Sequence, residues 1–352
     1  MESDNANPQF GAFPPRLRSS TIRQMLDNQK DTVYGALDLG TNNCRLLLAV
    51  PQGNGFQVVD AFSRMTRLGE GLAASGKLSP SAVDRTVAAL KFCAQKLSRR
   101  RVQRVRAVAT EACRRAANCN EFIEHVGWET GIALEIISAK EEAYLALTGC
   151  SPLLSPKVAD GLVFDIGGGS TELIRVHGEE IKATLSLPLG VVTLAERFGE
   201  AIHDDIAYEN LVAEAMSQLR AFDPDGELSR LAENGKLQML GTSGTVTTLA
   251  GIHLDLCRYD RSQVDGLTMD FASIEKVSRN LLASSFEYRA AHPCIGRERA
   301  DLVLSGCAIL DAICATWPVG RLRVADRGVR EGILFDLMHG AADAEGRRHP
   351  IE

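Results

Sequence analysis

The 352-residue chain is 45% hydrophobic and 24% charged. That is the balance of a globular protein, and its length suggests two domains at about 150 residues each. A formal net charge of −6 argues against a nucleic-acid coat, and no apolar run approaches the roughly 20 residues that a membrane helix needs.

Residues 1–31 are polar, contain Pro14-Pro15 and read as a flexible arm, with one helical turn around Thr21 to Asp27. The segments VYGALDL and CRLLLAV predict two strands around a turn, and FQVVDAFSRMTRL predicts a third. Ser79 to Leu97 has apolar residues at helical spacing, Ser79 as N-cap and Pro80 in the first turn. VQRVRAVAT predicts a strand, Glu111 to Trp128 a helix, LEIIS a strand and Ala139 to Gly149 a helix. SPLLSPKVADG, 151–161, reads as a junction. The second unit then opens as the first does, with GLVFDIGGGSTELIRV and the strand IKATLSL. Helices follow to about Leu231, then KLQMLGTSGTVTTLAGI gives strand, loop and helix. The remainder reads as helical apart from LRVAD, and the last helix, 328–338, is expected to cross back to the first unit. The expected organisation is an N-terminal domain over 32–150, a C-terminal domain over 151–340 and a tail over 341–352.

Nine cysteines scatter through apolar segments such as those of Cys93, Cys307 and Cys314, and no C-x-x-C pair occurs. They read as buried small hydrophobes in a reducing compartment. The seven histidines show no ligand spacing, so a zinc site is not expected. The start MESDNANPQF lacks a basic region followed by an apolar core, and a cytoplasmic protein is expected.

LDLGTNNCRLLL and FDIGGGSTELI form an internal repeat. Asp38 matches Asp165, Gly40 matches Gly167, Asn43 matches Ser170 and Arg45 matches Glu172. Two such units imply similar halves facing each other across a cleft. Glycine lacks a Cβ, so Gly167, Gly168 and Gly169 let a ligand approach backbone N–H groups that can bind phosphate oxygens. Thr41, Asn42, Asn43, Ser170 and Thr171 add side-chain donors. A third loop, Gly241-Thr242-Ser243-Gly244-Thr245, follows a strand and opens a helix, a setting suited to anions. No G-x-x-x-x-G-K-[ST] occurs, and GEGLAA, 69–74, lacks the strand-to-helix context of a dinucleotide fingerprint.

Asp165 and Glu172 beside a phosphate cradle present an electrostatic conflict. Like charges about 4 Å apart repel by roughly 4 kcal/mol at an effective dielectric of about 20. A cation between them resolves it, and Mg²⁺, with Mn²⁺ as a substitute, is the natural hard ion for carboxylates and phosphate oxygens. Asp38, the repeat partner of Asp165, is a further candidate ligand. Glu141 and Glu142 open a helix about 100° apart, so only one readily faces the cleft; either suits a general base. Arg45, Arg114 and Arg115 supply cations near the turns. Arg327 and Arg330 are placed either to guard the cleft or to pair with local acids. SRRRVQRVR, 98–106, reads as a solvated helix end and an exposed strand face.

In combination, ALDLGTNNCRLLL, AVATEACRRAAN, IISAKEEA, VFDIGGGSTELI, GTSGT and VADRGVREGIL resemble the exopolyphosphatase/guanosine pentaphosphate phosphatase (Ppx/GppA) family of the actin, sugar-kinase and Hsp70 superfamily. The resemblance covers roughly 33–340. It implies an α/β protein of two ribonuclease-H-like domains around a central cleft. It also implies Mg²⁺-dependent hydrolysis of a terminal phosphoanhydride, with polyphosphate or pppGpp as the small anionic partner and no nucleic acid or membrane. It selects Glu142 as the catalytic base, Asp165 and Glu172 as the acids linked to metal and attacking water, Ser170 as the phosphate-loop serine and Arg114 as a phosphate-contacting arginine. Thr41 and Asn43 stand where the family's first loop usually has serines, and Ala139 where it commonly has glycine. Longer relatives carry a further helical region. Any grip on a long polymer from that region is expected to be missing or to come from the partner in a homodimer. The expected activity is exopolyphosphatase. The alternatives are a pppGpp 5′-phosphohydrolase, a non-catalytic polyphosphate or alarmone sensor, and an ATP-hydrolysing kinase or chaperone relative.

Overall fold

Two sheets carry the architecture. In the first, β1 (Tyr34–Leu39), β2 (Asn43–Gln52) and β3 (Gly55–Met65) form an antiparallel meander. β4 (Arg104–Ala109) and β5 (Leu134–Ile136) add in parallel beside β1, for the order β3-β2-β1-β4-β5. The second sheet holds β6 (Asp160–Ile166), β7 (Thr171–His177), β8 (Glu180–Leu187), β9 (Leu237–Thr242), β10 (Thr268–Asp270) and β11 (Arg321–Ala325). Its order is β10-β11-β9-β6-β7-β8. With β10 set aside, β6–β8 repeat the β1–β3 meander, and β9 and β11 repeat β4 and β5. The internal repeat is thus one of topology as well as of motif. The computed structural model describes residues 32–346 apart from Asn54 and Glu179; the expected arm over 1–31, with its helical turn, lies outside the described residues.

The principal helices are α1 (Pro80–Arg99), α2 (Glu111–Arg115), α3 (Cys119–Thr130), α4 (Ala139–Cys150), α5 (Val191–Phe198), α6 (Asp205–Leu219), α7 (Gly244–His253), α8 (Phe271–Leu282), α9 (Val303–Thr316) and α10 (Val329–Gly346). Ser79 caps α1 by accepting from the Ala82 N–H at 3.3 Å. The single helix expected over Glu111–Trp128 is instead two. Ala116 takes an extended conformation, the Ala117 N–H bonds the Gly76 carbonyl, and Asn118 exchanges two hydrogen bonds with the Leu78 backbone. Pairing with that loop ends α2 and leaves its last turn close to the cleft. β10 was not anticipated; it is only three residues long and pairs with the edge of β11. The last helix runs to Gly346, beyond Met338 and into the residues read as tail. Among the described residues, no helix is long and apolar enough to cross a membrane.

Strands β1 and β6 are buried almost throughout because both faces of each sheet are covered. One apolar core lies under α1 and α3. A larger one gathers α5 to α9 on the second sheet. A third fills the space between the sheets with residues of β1, α4, β6, β7 and α10, including Ala36, Leu145, Val163, Ile174 and Ile333. Helices α4 and α10 approach so closely that a Cβ on Gly332 would lie 2.0 Å from the Leu145 carbonyl oxygen. This contact puts the start of α4, which carries Glu142, beside both sheets.

Candidate active site

The two repeat turns close in the same way. The Gly40 N–H donates to the Asn43 carbonyl at 2.9 Å, and the Gly167 N–H to the Ser170 carbonyl at 2.8 Å. Each turn joins the first two strands of its sheet, so the register places Asp38 opposite Arg45 and Asp165 opposite Glu172. The turns meet face to face. A Cβ on Gly168 would stand 3.0 Å from Asn42 Cβ and 3.1 Å from its nitrogen; one on Gly169 would stand 2.9 Å from Thr41 Oγ1. Behind them, a Cβ on Gly190 would fall 2.3 Å from the Gly168 oxygen. None of the glycines 167–169 has positive φ, so their bareness serves close approach between the halves and not a left-handed bend.

Between the turns lies a cavity of about 110 Å³. Thr41, Asn42, Asn43 and Arg45 line it from the first turn, and Gly167, Gly168, Gly169 and Ser170 from the second. Ser243, Gly244 and Thr245 line it from the start of α7, and Asp38, Glu142, Asp165 and Glu172 complete the acidic side. Ser243 caps α7, accepting from the Thr245 and Val246 N–H groups. Asn42 Oδ1 is buried with no hydrogen-bond partner among the described residues.

Several residues singled out from sequence do not line this cavity, among them Thr171, Gly241, Arg114, Arg115 and Arg327. Thr171 points to the opposite face of β7, where its hydroxyl donates to the Leu189 carbonyl at 2.5 Å. Gly241 lies within β9, and a Cβ there would fall 2.5 Å from the Phe164 ring; its role is packing. Arg114 spends its guanidinium on protein acceptors: Glu142 at 2.7 Å, Glu111 at 2.9 Å and the Ile137 carbonyl at 3.0 Å. Arg115 lies 3.9 Å from Glu111. Arg327 pairs with Asp265 at 2.7 Å. Conversely, Thr110, Glu111, Val191 and Arg299 line the cavity without having been anticipated. Arg299 is half-buried and forms no ion pair among the described residues. Burial, and then the charge of Arg45, weakens its hold on its proton.

The carboxylates occupy distinct environments. Glu142 is 14% exposed and faces the cavity, whereas Glu141 is 37% exposed and pairs with Arg106. Helix geometry thus separates the two acids that the sequence left tied. Burial pushes Glu142 well above the ordinary carboxylate range, the charge of Glu172 adds to this, and Arg114 opposes it. Glu172 accepts from Ser170 Oγ at 2.6 Å and Ser186 Oγ at 2.9 Å; burial raises it and these hydrogen bonds oppose the rise. Asp165 is pushed up to about 7, first by burial and then by Glu172, with Arg45 opposing. Asp38 is raised by burial, against the pull of Arg45 and Arg330.

Burial is the first cause of the rise at all four carboxylates, and a hard cation fits such an oxygen-only set. Among the described residues no three potential ligands already form a cage. The site therefore combines donors for oxyanions, a buried acid able to accept a proton, and hard oxygen ligands.

The model of the Ppx/GppA phosphatase family matches residues 48–341. Exopolyphosphatase 2 of Mycobacterium tuberculosis is 30% identical over 324 residues, which cover 87% of this chain and 98% of that protein. The crystal structure of the Aquifex aeolicus Ppx/GppA family member is 27% identical, with a TM-score of 0.70 over 91% of this chain and 99% of that one. An exopolyphosphatase from Cytophaga hutchinsonii, 24% identical, shares the fold with a TM-score of 0.77 over 88% of this chain and 98% of its own.

Proposed function

We propose, from the premise that this chain belongs to the Ppx/GppA phosphatase family, that it is an exopolyphosphatase releasing orthophosphate from the end of inorganic polyphosphate. The observation that carries this reading is the convergence of Glu142, Asp165 and Glu172 with three oxyanion-binding loops on one cavity between the sheets. The terminal phosphoryl group sits between the turns, held by N–H groups of Gly168 and Gly169, by Ser170, by Thr41 to Asn43 and by the start of α7. Arg45 reaches across to that helix: its Nη2 lies 3.9 Å from where a Cβ on Gly244 would be. Arg299 adds a second positive charge to the lining.

Glu142 accepts a proton from the attacking water. Its burial gives it the proton affinity that this role needs, and Arg114 holds its carboxylate in place. Ser170 and Ser186 fix the rotamer of Glu172. Asp165 and Glu172 would hold Mg²⁺ or Mn²⁺, with Asp38 as the further ligand candidate; when bound, the ion offsets negative charge on the transferring phosphoryl group. The same reading includes a cytoplasmic homodimer. The nine free thiols agree with a reducing compartment, and the dimer rests on the family resemblance.

The test is a substrate panel of short and long polyphosphate, pppGpp and ATP, each with and without Mg²⁺. Phosphate release from polyphosphate at the highest kcat/KM is expected. Preference for pppGpp would move the assignment to the alarmone, and release at background level with retained binding would make the protein a sensor.

A further inference from the structure

The basic run over 98–106 takes no part in the cavity, yet the fold joins it to the cleft. The end of β3 is tied to the first turn: the Thr66 and Arg67 N–H groups donate to the Asn42 carbonyl at 2.9 and 3.0 Å. Two residues back along β3 stands Arg64, exposed, its guanidinium over the rings of Phe62 at 5.3 Å and Phe92 at 5.9 Å. Phe92 belongs to α1, and Lys96, one turn further on, lies over the same ring at 5.7 Å. Lys96 and Arg100 share the single carboxylate of Asp60, at 2.7 and 3.2 Å. Arg99, Arg100 and Arg101 finish the helix end in solvent. Among the described residues Arg64, Arg99 and Arg101 form no ion pair.

These contacts make one continuous stripe of positive charge on the outer face of the first sheet. It runs from the rim of the cleft to the far end of α1. From Asp60 to Arg64 it follows β3 for about 13 Å, and from Phe92 to Arg99 it follows α1 for about 10 Å. A cationic helix end is a common complement to the helix dipole. That does not account for Arg64, which lies on a strand, nor for the excess of cations around one acid in a chain of net charge −6.

We propose that this stripe binds the non-reacting length of an anionic polymer whose end occupies the cavity. The proposal rests on the exopolyphosphatase reading, and the occupant it commits to is polyphosphate. Sites for single-stranded nucleic acid combine charge with free aromatic faces on which bases stack. Here Arg64 and Lys96 already lie over the Phe92 ring, leaving a surface that offers charge without a stacking platform. Holding the chain outside the cleft raises the effective concentration of its end at the site, so the stripe acts on KM for long chains and leaves the chemical step alone.

The test compares the native protein with the variant Arg64→Gln/Arg99→Gln/Arg100→Gln/Arg101→Gln and with its four-lysine counterpart. Each is assayed on tripolyphosphate and on long-chain polyphosphate over a range of salt. In the glutamine variant, KM for the long chain should rise about tenfold and depend less on salt. Turnover of tripolyphosphate should stay unchanged, and the lysine variant should retain the long-chain KM. Binding of labelled long-chain polyphosphate, read by fluorescence anisotropy on the same proteins carrying Glu142→Gln, provides a measure independent of hydrolysis. Equal long-chain KM and equal binding with and without the arginines overturn the proposal. So does displacement of the polyphosphate by an RNA of matched charge at equal concentration. If no protein hydrolyses polyphosphate yet binding still depends on the arginines, the activity assignment fails and the stripe stands.

Discussion

Arg114 donates from Nη1 to Glu142 at 2.7 Å while its Nη2 holds Glu111 at 2.9 Å. One guanidinium on α2 thus fixes the acid that opens α4. In the proposed mechanism Arg114 is therefore a positioning residue. Arg114→Gln should lower kcat by about 10²-fold with a smaller change in KM. The pH profile separates this from mere loss of structure. Arg114 opposes the burial that raises Glu142, so removing it raises that acid further, and the acid limb of kcat/KM should move to higher pH. An unmoved limb would assign Arg114 to substrate contact.

Glu142→Gln keeps an oxygen acceptor for Arg114 but cannot take a proton. Phosphate release should fall by about 10²–10⁴-fold, with the melting temperature nearly unchanged. Turnover near that of the native protein in a folded sample would remove Glu142 from the mechanism.

Asp165 carries a pH signature in stability. Its folded pKa is raised to about 7 from an unfolded value near 3.8, so the unfolded chain gives up this proton first. Its contribution therefore turns unfavourable as pH climbs from about 4 to 7, and Asp38, Glu142 and Glu172 act in the same direction. Asp165→Asn should raise the melting temperature at pH 8 and lose that advantage towards pH 4. Added Mg²⁺ should stabilise the native protein at pH 8 more than this variant. Thermal denaturation across pH, with and without the ion, reads both effects.

Gly190 is a steric test of the closed turns. A methyl group there collides with the backbone of Gly168 and Gly169 at 2.3 to 2.4 Å. Gly190→Ala should therefore destabilise by about 1–3 kcal/mol and reduce activity together with stability. Gly127, within α3 and facing open space, is the control: Gly127→Ala should stabilise by about 0.5–1 kcal/mol. Chemical denaturation of both variants gives the comparison.

The loop after β3 bridges the halves. Arg67 pairs with Asp301 at 2.9 Å and donates to the Glu298 carbonyl at 2.8 Å, and the Gly71 N–H donates to Glu196 at 2.8 Å. The ion pair is 30% and 41% exposed, so its loss should cost about 0–1 kcal/mol of global stability. Local opening should be more sensitive. In Arg67→Ala, hydrogen exchange at the Thr66, Arg67 and Gly69 amides should quicken while the melting temperature changes little.

The turns were legible in the sequence because three signals agreed: an acid, a glycine and flanking apolar strands, repeated twice. Thr171 shows a limit that could have been avoided. Side chains alternate along a strand, so a hydroxyl adjacent to Glu172 in sequence must face the other way from it, while Ser170, two positions back, shares its side. Gly241 looked like part of a phosphate loop because a ring packed on a glycine leaves no local trace. Arg299 and Val191 were invisible for another reason. Each reaches the cavity through the packing of α5 and α9 against the second sheet, and nothing in their neighbouring residues records that contact. The break after α2 was likewise set by a distant partner, the loop at Gly76 to Leu78. The choice between Glu141 and Glu142 needed the orientation of α4, fixed by its contact with α10.

Close to the turns the duplicated hairpins pair their matched acids with opposite charges: Asp38 faces Arg45, whereas Asp165 faces Glu172. With the charge of a single cross-strand neighbour inverted, the pseudo-symmetric frame acquires a head and a tail. The half that holds the base and the half that holds the second acid are then no longer interchangeable.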